Sequence, residues 1–424
     1  MACETQVCGC QADLPSNATL QEYLVFAAVN NPQLEAAFDR WREAVQRSYQ
    51  AGYLPDPAFQ YKAFIEAVET RVGPQRYELW LEQAIPWPAK LLIERSMAIE
   101  AAKAAKQEFF EARNALFYQV KSSYYEYVYT KNAIVITESN RNLLEHFLKV
   151  VETRQKVGGP LSDSVKIQVE WITVDDRLQR LINELPSVMA NLNALLNRPM
   201  MAPLPSAEII EQPEVADIDD LRRQVIDENP QLLALRHRIT EERKSIGLAK
   251  TNQRPNFLVG VNYINTGPAR TPGVPGSGMD SVQARVALTL PIWRDLYRAQ
   301  IKEAQQRASR VQNEREDLKN RLEAQLEEAL FQLKEGDRRI ILYRDTLLPE
   351  LNLLLETTQR GYEVGKEDVL TLVDVERQLL DIQLILERAY TDRAQAVAEI
   401  DWLVGKHSSW QIPCGKRQAG RVVK

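Results

Sequence analysis

Four short segments of the chain alternate apolar and polar residues, which is the pattern of a β-strand with one apolar and one polar face. The alternation predicts strands near residues 58–68, 76–86, 256–265 and 281–291. Each pair of strands is close enough in sequence to form a hairpin. The clearest strand is the fourth, in which these apolar residues occupy every second position: Val282, Ala284, Val286, Leu288 and Leu290.

Between the strands the apolar positions change to a helical spacing. Residues 89–157 contain neither glycine nor proline, and a helix of that length would be on the order of 100 Å long. Later in each half of the chain, apolar residues recur at intervals of three and four, which is the seam of a coiled coil. The sequence therefore predicts long helices at residues 89–157, 161–197, 292–360 and 366–404.

These elements occur twice because the chain is an internal duplication. Asn31-Pro32-Gln33-Leu34 recurs as Asn229-Pro230-Gln231-Leu232, and each copy then reads helix, hairpin, long helix, bend, long helix. The copies span residues 29–197 and 218–405, with a proline-rich linker at 198–217, an N-terminal segment at 1–28 and a tail at 406–424. The expected fold is mainly α, with a small membrane β part and duplicated coiled-coil hairpins.

Composition and charge narrow the possible functions. The formal net charge of −5 gives no basic surface for nucleic acid. No apolar run reaches the roughly 20 residues of a membrane-spanning helix, so we expect any membrane-spanning segment to be a strand. No nucleophile elbow, zinc-protease motif or phosphate loop is present, and the three histidines lack metal-ligand spacing. We therefore expect no enzyme activity, no cofactor and no metal site.

The four cysteines lie near the two ends of the chain, at Cys3, Cys8, Cys10 and Cys414. Lipid attachment and a small metal clasp are open interpretations of the first three, and free tail thiols are the favoured one. No signal-peptide pattern precedes the first predicted helix. The cysteines therefore carry no functional prediction.

Closure of the predicted strands requires more than one chain. Four strands are too few for a closed barrel, and an open sheet edge is not tolerated in a bilayer, where every backbone group must be paired. Three copies would supply 12 strands, an even number within the range of outer-membrane barrels. We therefore expect a homotrimer in contact with outer-membrane lipid, with long helices that project into water.

The chain resembles the TolC-like family of outer-membrane efflux factors over roughly residues 20 to 405. The resemblance rests on the order of several motifs. They are Asn-Pro-x-Leu at the start of each copy, Gly52-Tyr53-Leu54-Pro55-Asp56-Pro57 before the first strand, Pro86 and Pro291 at strand ends, and Gly361-Tyr362-Glu363-Val364-Gly365 followed by Asp374.

This resemblance implies a trimeric channel, with a 12-stranded barrel in the outer membrane and a tube of 12 helices in the periplasm. It also implies a periplasmic adaptor and an inner-membrane pump of RND or ABC type, which would supply the energy for a passive conduit. The stretch before the first strand is closer to the heavy-metal branch of the family than to the drug branch. Export of metal ions is therefore a hypothesis.

The resemblance also implies functional residues at the helix bends. Gly158, Gly159, Gly365 and Lys366 are expected at the periplasmic tips, where the family docks its adaptor. The alternative is an ordinary connection between two helices, and the two interpretations do not exclude each other.

Tyr362 and Asp374 match family positions that constrict the closed aperture through bonds between helices. Three Asp374 carboxylates in a narrow ring would repel one another and favour cations or an open pore. The alternative is that Asp374 is a solvated charge on a coiled coil. The family's basic residue after the glycine is replaced by Glu367-Asp368, with Lys366 one position earlier, which leaves the bonding of the gate open.

A function of another class remains as the alternative. A periplasmic coiled-coil scaffold or adaptor without a pore would explain the helical seams and the lack of catalytic motifs. It would not explain four alternating strands in two matching hairpins. The outer-membrane channel is therefore the preferred interpretation.

Overall fold

A computed structural model of the chain describes residues 14–15, 17–156, 158–205 and 217–405. It is mostly helical, with one small antiparallel sheet. The described residues form two compact units, and each copy of the duplication contributes to both. One unit contains Phe38–Glu108 and Gln231–Leu318, and the other contains the remaining described residues. The cysteines lie outside the described residues.

The sheet joins the two predicted hairpins into one four-stranded layer. Its strands are β1 (Ala58–Thr70), β2 (Gly73–Ile85), β3 (Phe257–Thr266) and β4 (Ser281–Leu288). They pair in the order β1-β2-β3-β4, with every neighbour antiparallel. The contact between β2 and β3 was not predicted from the sequence, and it leaves β1 and β4 at the two edges.

The register of the sheet separates its apolar and polar side chains. On one face Phe59, Leu81, Val261 and Ala284 lie opposite one another across the four strands. On the other face Lys62 lies 3.6 Å from Glu78, and Arg285 lies 3.3 Å from Glu82. The apolar face is the exposed one, since the side chains of Phe59 and Val261 are 65% and 52% exposed. A sheet of a water-soluble core would bury that face.

The helices follow the predicted order, with one additional short helix before each Asn-Pro-Gln-Leu motif. They are α1 (Leu20–Asn30), α2 (Pro32–Gln50), α3 (Pro88–Gln155), α4 (Leu161–Leu195), α5 (Ile218–Glu228), α6 (Pro230–Thr251), α7 (Arg294–Ile341), α8 (Leu348–Glu363) and α9 (Val369–Val404). A π-helical segment, Leu342–Leu347, separates α7 from α8. Within the described residues, none of these helices is both long and apolar enough to cross a membrane.

Helix α1 lies in the segment that was expected to precede the first copy. It is the counterpart of α5, because both helices end one residue before the asparagine of the Asn-Pro-Gln-Leu motif. Helix α1, whose periodicity is weak, was not predicted from the sequence. A capping box between Thr19 and Glu22 fixes its start.

The Asn-Pro-Gln-Leu motif has the same structural role in both copies. Asn31 donates a side-chain hydrogen bond to the carbonyl of Leu195 at 2.9 Å, and Asn229 donates one to the carbonyl of Leu403 at 2.9 Å. Each asparagine thus ties the start of its copy to the last helix of the same copy. The side chain of Asn31 also accepts from the first amides of α2 and caps that helix.

The unit that carries the sheet also contains an ion cluster around the buried Glu100, between α3 and α6. The carboxylate of Glu100 lies 2.9 Å from His237 Nδ1 and 3.1 Å from the ammonium groups of Lys103 and Lys244. Burial alone would raise the pKa of Glu100, but hydrogen bonds from these three residues lower it to about 2. His237 therefore belongs to a structural ion cluster.

Candidate functional site

The candidate site is the pair of bends at which the long helices reverse direction. Helix α3 ends at Gln155 and α4 begins at Leu161, while α8 ends at Glu363 and α9 begins at Val369. These four helix ends belong to the same compact unit. We call the described residues of the first bend, 156 and 158–160, the first tip, and we call residues 364–368 the second tip.

Glycine ends the helix at each tip because the backbone turns into the left-handed region. Gly158 has φ +103° and Gly365 has φ +77°, values that L residues with a side chain adopt only with strain. At the second tip the amide of Lys366 donates to the carbonyl of Gly361 at 2.9 Å. A hydrogen bond of this kind, from an amide beyond the end of a helix to a carbonyl in its last turn, is a common way to satisfy the last carbonyls of a helix. The side chain of Lys366 is exposed.

Two glycines also leave room for a close neighbour, Arg154. A Cβ on Gly365 would lie 3.1 Å from Arg154 Nη2, and a Cβ on Gly159 would lie 3.1 Å from the backbone carbonyl of Arg154. The two tips therefore meet around this arginine. A side chain at either glycine would displace it.

Tyr362 connects the two hairpins. Its side chain is 1% exposed, and its hydroxyl donates to Asp163 Oδ2 at 3.3 Å. Arg154 donates to the Tyr362 carbonyl at 2.9 Å, and its guanidinium lies 4.5 Å from the centre of the tyrosine ring, which is a cation–π contact. We call Arg154, Asp163 and Tyr362 the tip clasp, since they join α3, α4 and α8.

The electrostatics of the tip clasp keep the phenol in its donor form. Burial is the largest effect and raises the pKa of Tyr362, while the nearby Arg154 partly opposes that rise. Asp163 is 5% exposed, so its carboxylate depends on the donors around it. Ser162 Oγ, at 3.4 Å from Asp163 Oδ1, is the second of these donors.

Asp374 lies apart from the tip clasp. Its side chain is 62% exposed, and it lies 3.8 Å from Arg377 on the same helix. The structure therefore brings Tyr362 into contact with Asp163 and Arg154, and it does not bring Asp374 into that group. The proposed gate pair Tyr362 and Asp374 shares no contact within one chain.

A second polar connection joins α4 to α9 further from the tips. Arg377 donates through Nε to Glu170 Oε1 at 3.2 Å, and a second bond joins its Nη2 to Glu170 Oε2. Glu170 is 5% exposed, so this is a largely buried carboxylate held by a fork of two donors. Beside it on α9, Glu376 is 0% exposed.

Sequence reasoning missed Arg154, Asp163, Glu170 and Glu376. For Glu376 a signal was present, because it interrupts a buried apolar stripe formed by Val369, Val373, Leu380 and Leu384. For Arg154 and Asp163 no signal was available, since each looks like a surface charge near a bend. Among the described residues, no group of three or more histidine, cysteine, aspartate or glutamate side chains could hold a metal ion.

Comparison with known proteins gives matches along nearly the whole chain. The family described as outer membrane efflux protein matches residues 221–406. The cobalt-zinc-cadmium resistance protein CzcC of Cupriavidus metallidurans is 21% identical, over 92% of this chain and 90% of that protein. The pyoverdine export outer membrane protein OpmQ of Pseudomonas putida is 22% identical, over 92% of this chain and 86% of that protein.

Solved structures show the same fold. The outer-membrane channel OprN superimposes with a TM-score of 0.78 at 15% identity, over 91% of this chain and 89% of that chain. CusC superimposes with a TM-score of 0.76 at 14% identity, over 94% of this chain and 96% of that chain.

Proposed function

We propose that the chain, which is similar to the outer membrane efflux protein family over residues 221–406, is the channel component of a tripartite efflux system. It is an outer-membrane protein with a long helical part in the periplasm. In the proposed assembly it works with a periplasmic adaptor and an inner-membrane pump of RND or ABC type. The pump supplies the energy, and the channel is a passive conduit.

The observation that most directly supports this proposal is the exposed apolar face of the sheet. Val282 and Val286 are 70% and 73% exposed on the edge strand β4, and Ile65 on the edge strand β1 is 101% exposed. Apolar residues that face outward and polar residues that face inward are the pattern of a lipid-embedded barrel. We propose that β1 of one copy pairs with β4 of the next, so that three copies close 12 strands.

The tips are the proposed periplasmic entrance. The tip clasp holds the two hairpins of one chain together, which favours a closed arrangement. Gly158, Gly159, Gly365 and Lys366 form the proposed docking surface for the adaptor. Asp374 is a separate exposed carboxylate near this end of α9, and its proposed role in the aperture needs contacts between copies.

The first experiment is the mass and shape of the protein extracted from outer-membrane fractions in detergent. Light scattering should give a trimer, and negative-stain images should give rods. A periplasmic monomer or dimer would refute the channel and favour the scaffold or adaptor without a pore. Conductance of the Asp374→Ala trimer in planar bilayers then tests the aperture, because an unchanged closed-state leak would remove Asp374 from it.

The cargo is proposed as metal ions or small molecules. One relative is described as a cobalt-zinc-cadmium resistance protein and the other as a pyoverdine exporter. The two matches are similar in identity, at 21% and 22%. A deletion strain should lose tolerance to cobalt, zinc, cadmium or copper if metal ions are the cargo. Unaltered tolerance to all four metals would favour a small-molecule cargo.

A further inference from the structure

Glu376 is a buried carboxyl group without a hydrogen-bond partner. Its side chain is 0% exposed, and neither of its carboxylate oxygens has a partner among the described residues. Leu372 and Leu380 lie one turn away on either side along α9 and are both buried. An ionised carboxylate in such a place is strongly unfavourable, because it has lost its water and gained no donor.

The charges around Glu376 do not compensate for this burial. Glu170 faces it from α4, and Arg377 and Asp381 lie near it on α9. The guanidinium of Arg377 already donates to Glu170, and Asp381 is paired with Arg177 at 2.9 Å. Helices α3 and α8 bring apolar side chains to the surrounding core, among them Leu144, Phe147 and Leu355. Apart from Arg377, whose guanidinium is bonded to Glu170, these neighbours of Glu376 are therefore acidic or apolar.

We propose that Glu376 is a proton-binding site that couples the packing of α9 against α4 to the pH of the surrounding solution. Glu376 holds a proton while the helices are packed. When α9 separates from α4, the carboxyl group meets water and releases that proton. At Glu376 the separated state therefore has one proton fewer and one more negative charge.

The direction of the pH effect follows from the two pKa values. Burial, followed by the charge of Glu170, raises the pKa of Glu376 from 4.5 to about 8 in the packed state. The packed state thus holds one more proton than the separated state between these values. Packing is favoured by up to about tenfold for each unit by which the pH falls in this window. The advantage is complete below the lower pKa and is lost as the pH rises through the higher one.

This inference rests on the proposed function only where it concerns flow through the proposed channel. That link exists because an open aperture requires α9 to separate from α4. A periplasm that becomes more acidic would then favour the closed tips. A proton bound at Glu376 in the packed helices requires no channel at all. The two statements can therefore be tested separately.

The first test measures amide hydrogen exchange in α9 on the full-length protein in detergent, at several pH values from about 5 to 8. After correction for the intrinsic exchange rate, the opening equilibrium of the wild-type α9 should rise with pH, by up to about tenfold per unit. Glu376→Gln keeps the size of the side chain and cannot titrate, so its corrected exchange should be independent of pH. Glu376→Met should give the same flat profile with a more protected helix.

Glu356→Gln is the matched control. Glu356 is an exposed carboxylate of α8 that pairs with Arg360 on the same helix, so the same Glu→Gln change there removes a carboxyl group without touching the buried site. It should keep the wild-type pH dependence. A wild-type slope that persists in Glu376→Gln and Glu376→Met would overturn the proton-binding site.

The second test measures the closed-state conductance of the same variants in planar bilayers over the same pH range. A leak that rises with pH in the wild type, and stays constant in Glu376→Gln, would support the coupling to flow. If exchange depends on Glu376 but no preparation conducts at any pH, the proton-binding site stands and the channel function is refuted.

Discussion

Removal of the Tyr362 hydroxyl gives the sharpest test of the tip clasp. Tyr362→Phe keeps the ring that packs in the core and lies over Arg154, and it keeps the backbone carbonyl that accepts from Arg154. It deletes the hydrogen bond to Asp163. The carboxylate of Asp163 is then left with a weaker set of donors in a place where water has little access.

The size of the effect follows from the geometry of that bond. Hydrogen bonds to charged groups contribute about 1.5–3 kcal/mol. The 3.3 Å separation of the Tyr362 and Asp163 oxygens is longer than the usual O–H···O distance, which places this bond at the lower end of the range. A loss of about 1.5 kcal/mol changes an equilibrium roughly tenfold. We therefore expect the closed state to be roughly tenfold less favoured in Tyr362→Phe.

The assay is single-channel recording of purified protein in planar bilayers without adaptor. The fraction of time in a conducting state should rise roughly tenfold in Tyr362→Phe. Asp163→Asn should raise it as well, because it removes the negative charge and one of the two acceptor oxygens. The double variant should add little to the larger single effect, since both substitutions act on the same hydrogen bond. Tyr53→Phe is the control, because Tyr53 is 76% exposed and lies outside the clasp.

The reasoning would be refuted by an open fraction of Tyr362→Phe that equals that of Tyr53→Phe at the same trimer yield. It would also fail if the effects of Tyr362→Phe and Asp163→Asn were fully additive, since additive effects indicate independent sites. In either case the tip clasp would be a packing feature without influence on the closed state.

Two further predictions concern the tip and the sheet. Gly365→Val should reduce export in cells, because it forces a β-branched residue to φ +77° and places its Cβ 3.1 Å from Arg154. Gly273→Val is the control, since Gly273 has φ +80° and a Cβ there would have nothing within 4 Å. Equal export by the two variants would contradict a role of the tip. Val286→Lys should reduce insertion of the proposed trimer into the outer membrane, since a lysine on the proposed lipid face would cost about 2–4 kcal/mol at mid-membrane. Gln283→Lys, on the polar face of the same strand, should insert normally, and equal insertion of both variants would argue against the proposed lipid face.

The sequence predicts the elements of this fold well because each has a strong local signal. Strand alternation, proline at strand ends and long stretches without glycine or proline decide strands and helices independently of tertiary contacts. Helices α1 and α5 and the π-helical segment Leu342–Leu347 were not predicted as separate elements. Apolar residues lie on all sides of α1, so it has little periodicity, and a π-helical segment differs from an α-helix by a single shift in hydrogen bonding.

The site is harder to predict because it is made by contacts between distant segments. Tyr362 and Gly365 carry local or family signals, so the sequence indicates them as candidates. Arg154 and Asp163 come from the other copy of the duplication, and no spacing within either copy indicates that their side chains meet Tyr362. Only the pairing of α4 with α9 and of the first tip with the second brings the tip clasp together.

The tip clasp also shows where the two copies have diverged. The glycines at the bends, Gly158 and Gly365, align at an offset of 207 residues (365 − 158). At that offset Tyr362 corresponds to Gln155, which accepts a hydrogen bond from Ser164 at 3.2 Å within its own hairpin.

The two tips should therefore respond differently to equivalent changes. Gln155→Leu removes a bond within one hairpin, whereas Tyr362→Phe removes a bond between two hairpins. Recordings of Gln155→Leu should give an open fraction close to that of the wild type. An increase as large as that of Tyr362→Phe would mean that the internal order of the first tip, rather than its connection to the second, holds the aperture closed.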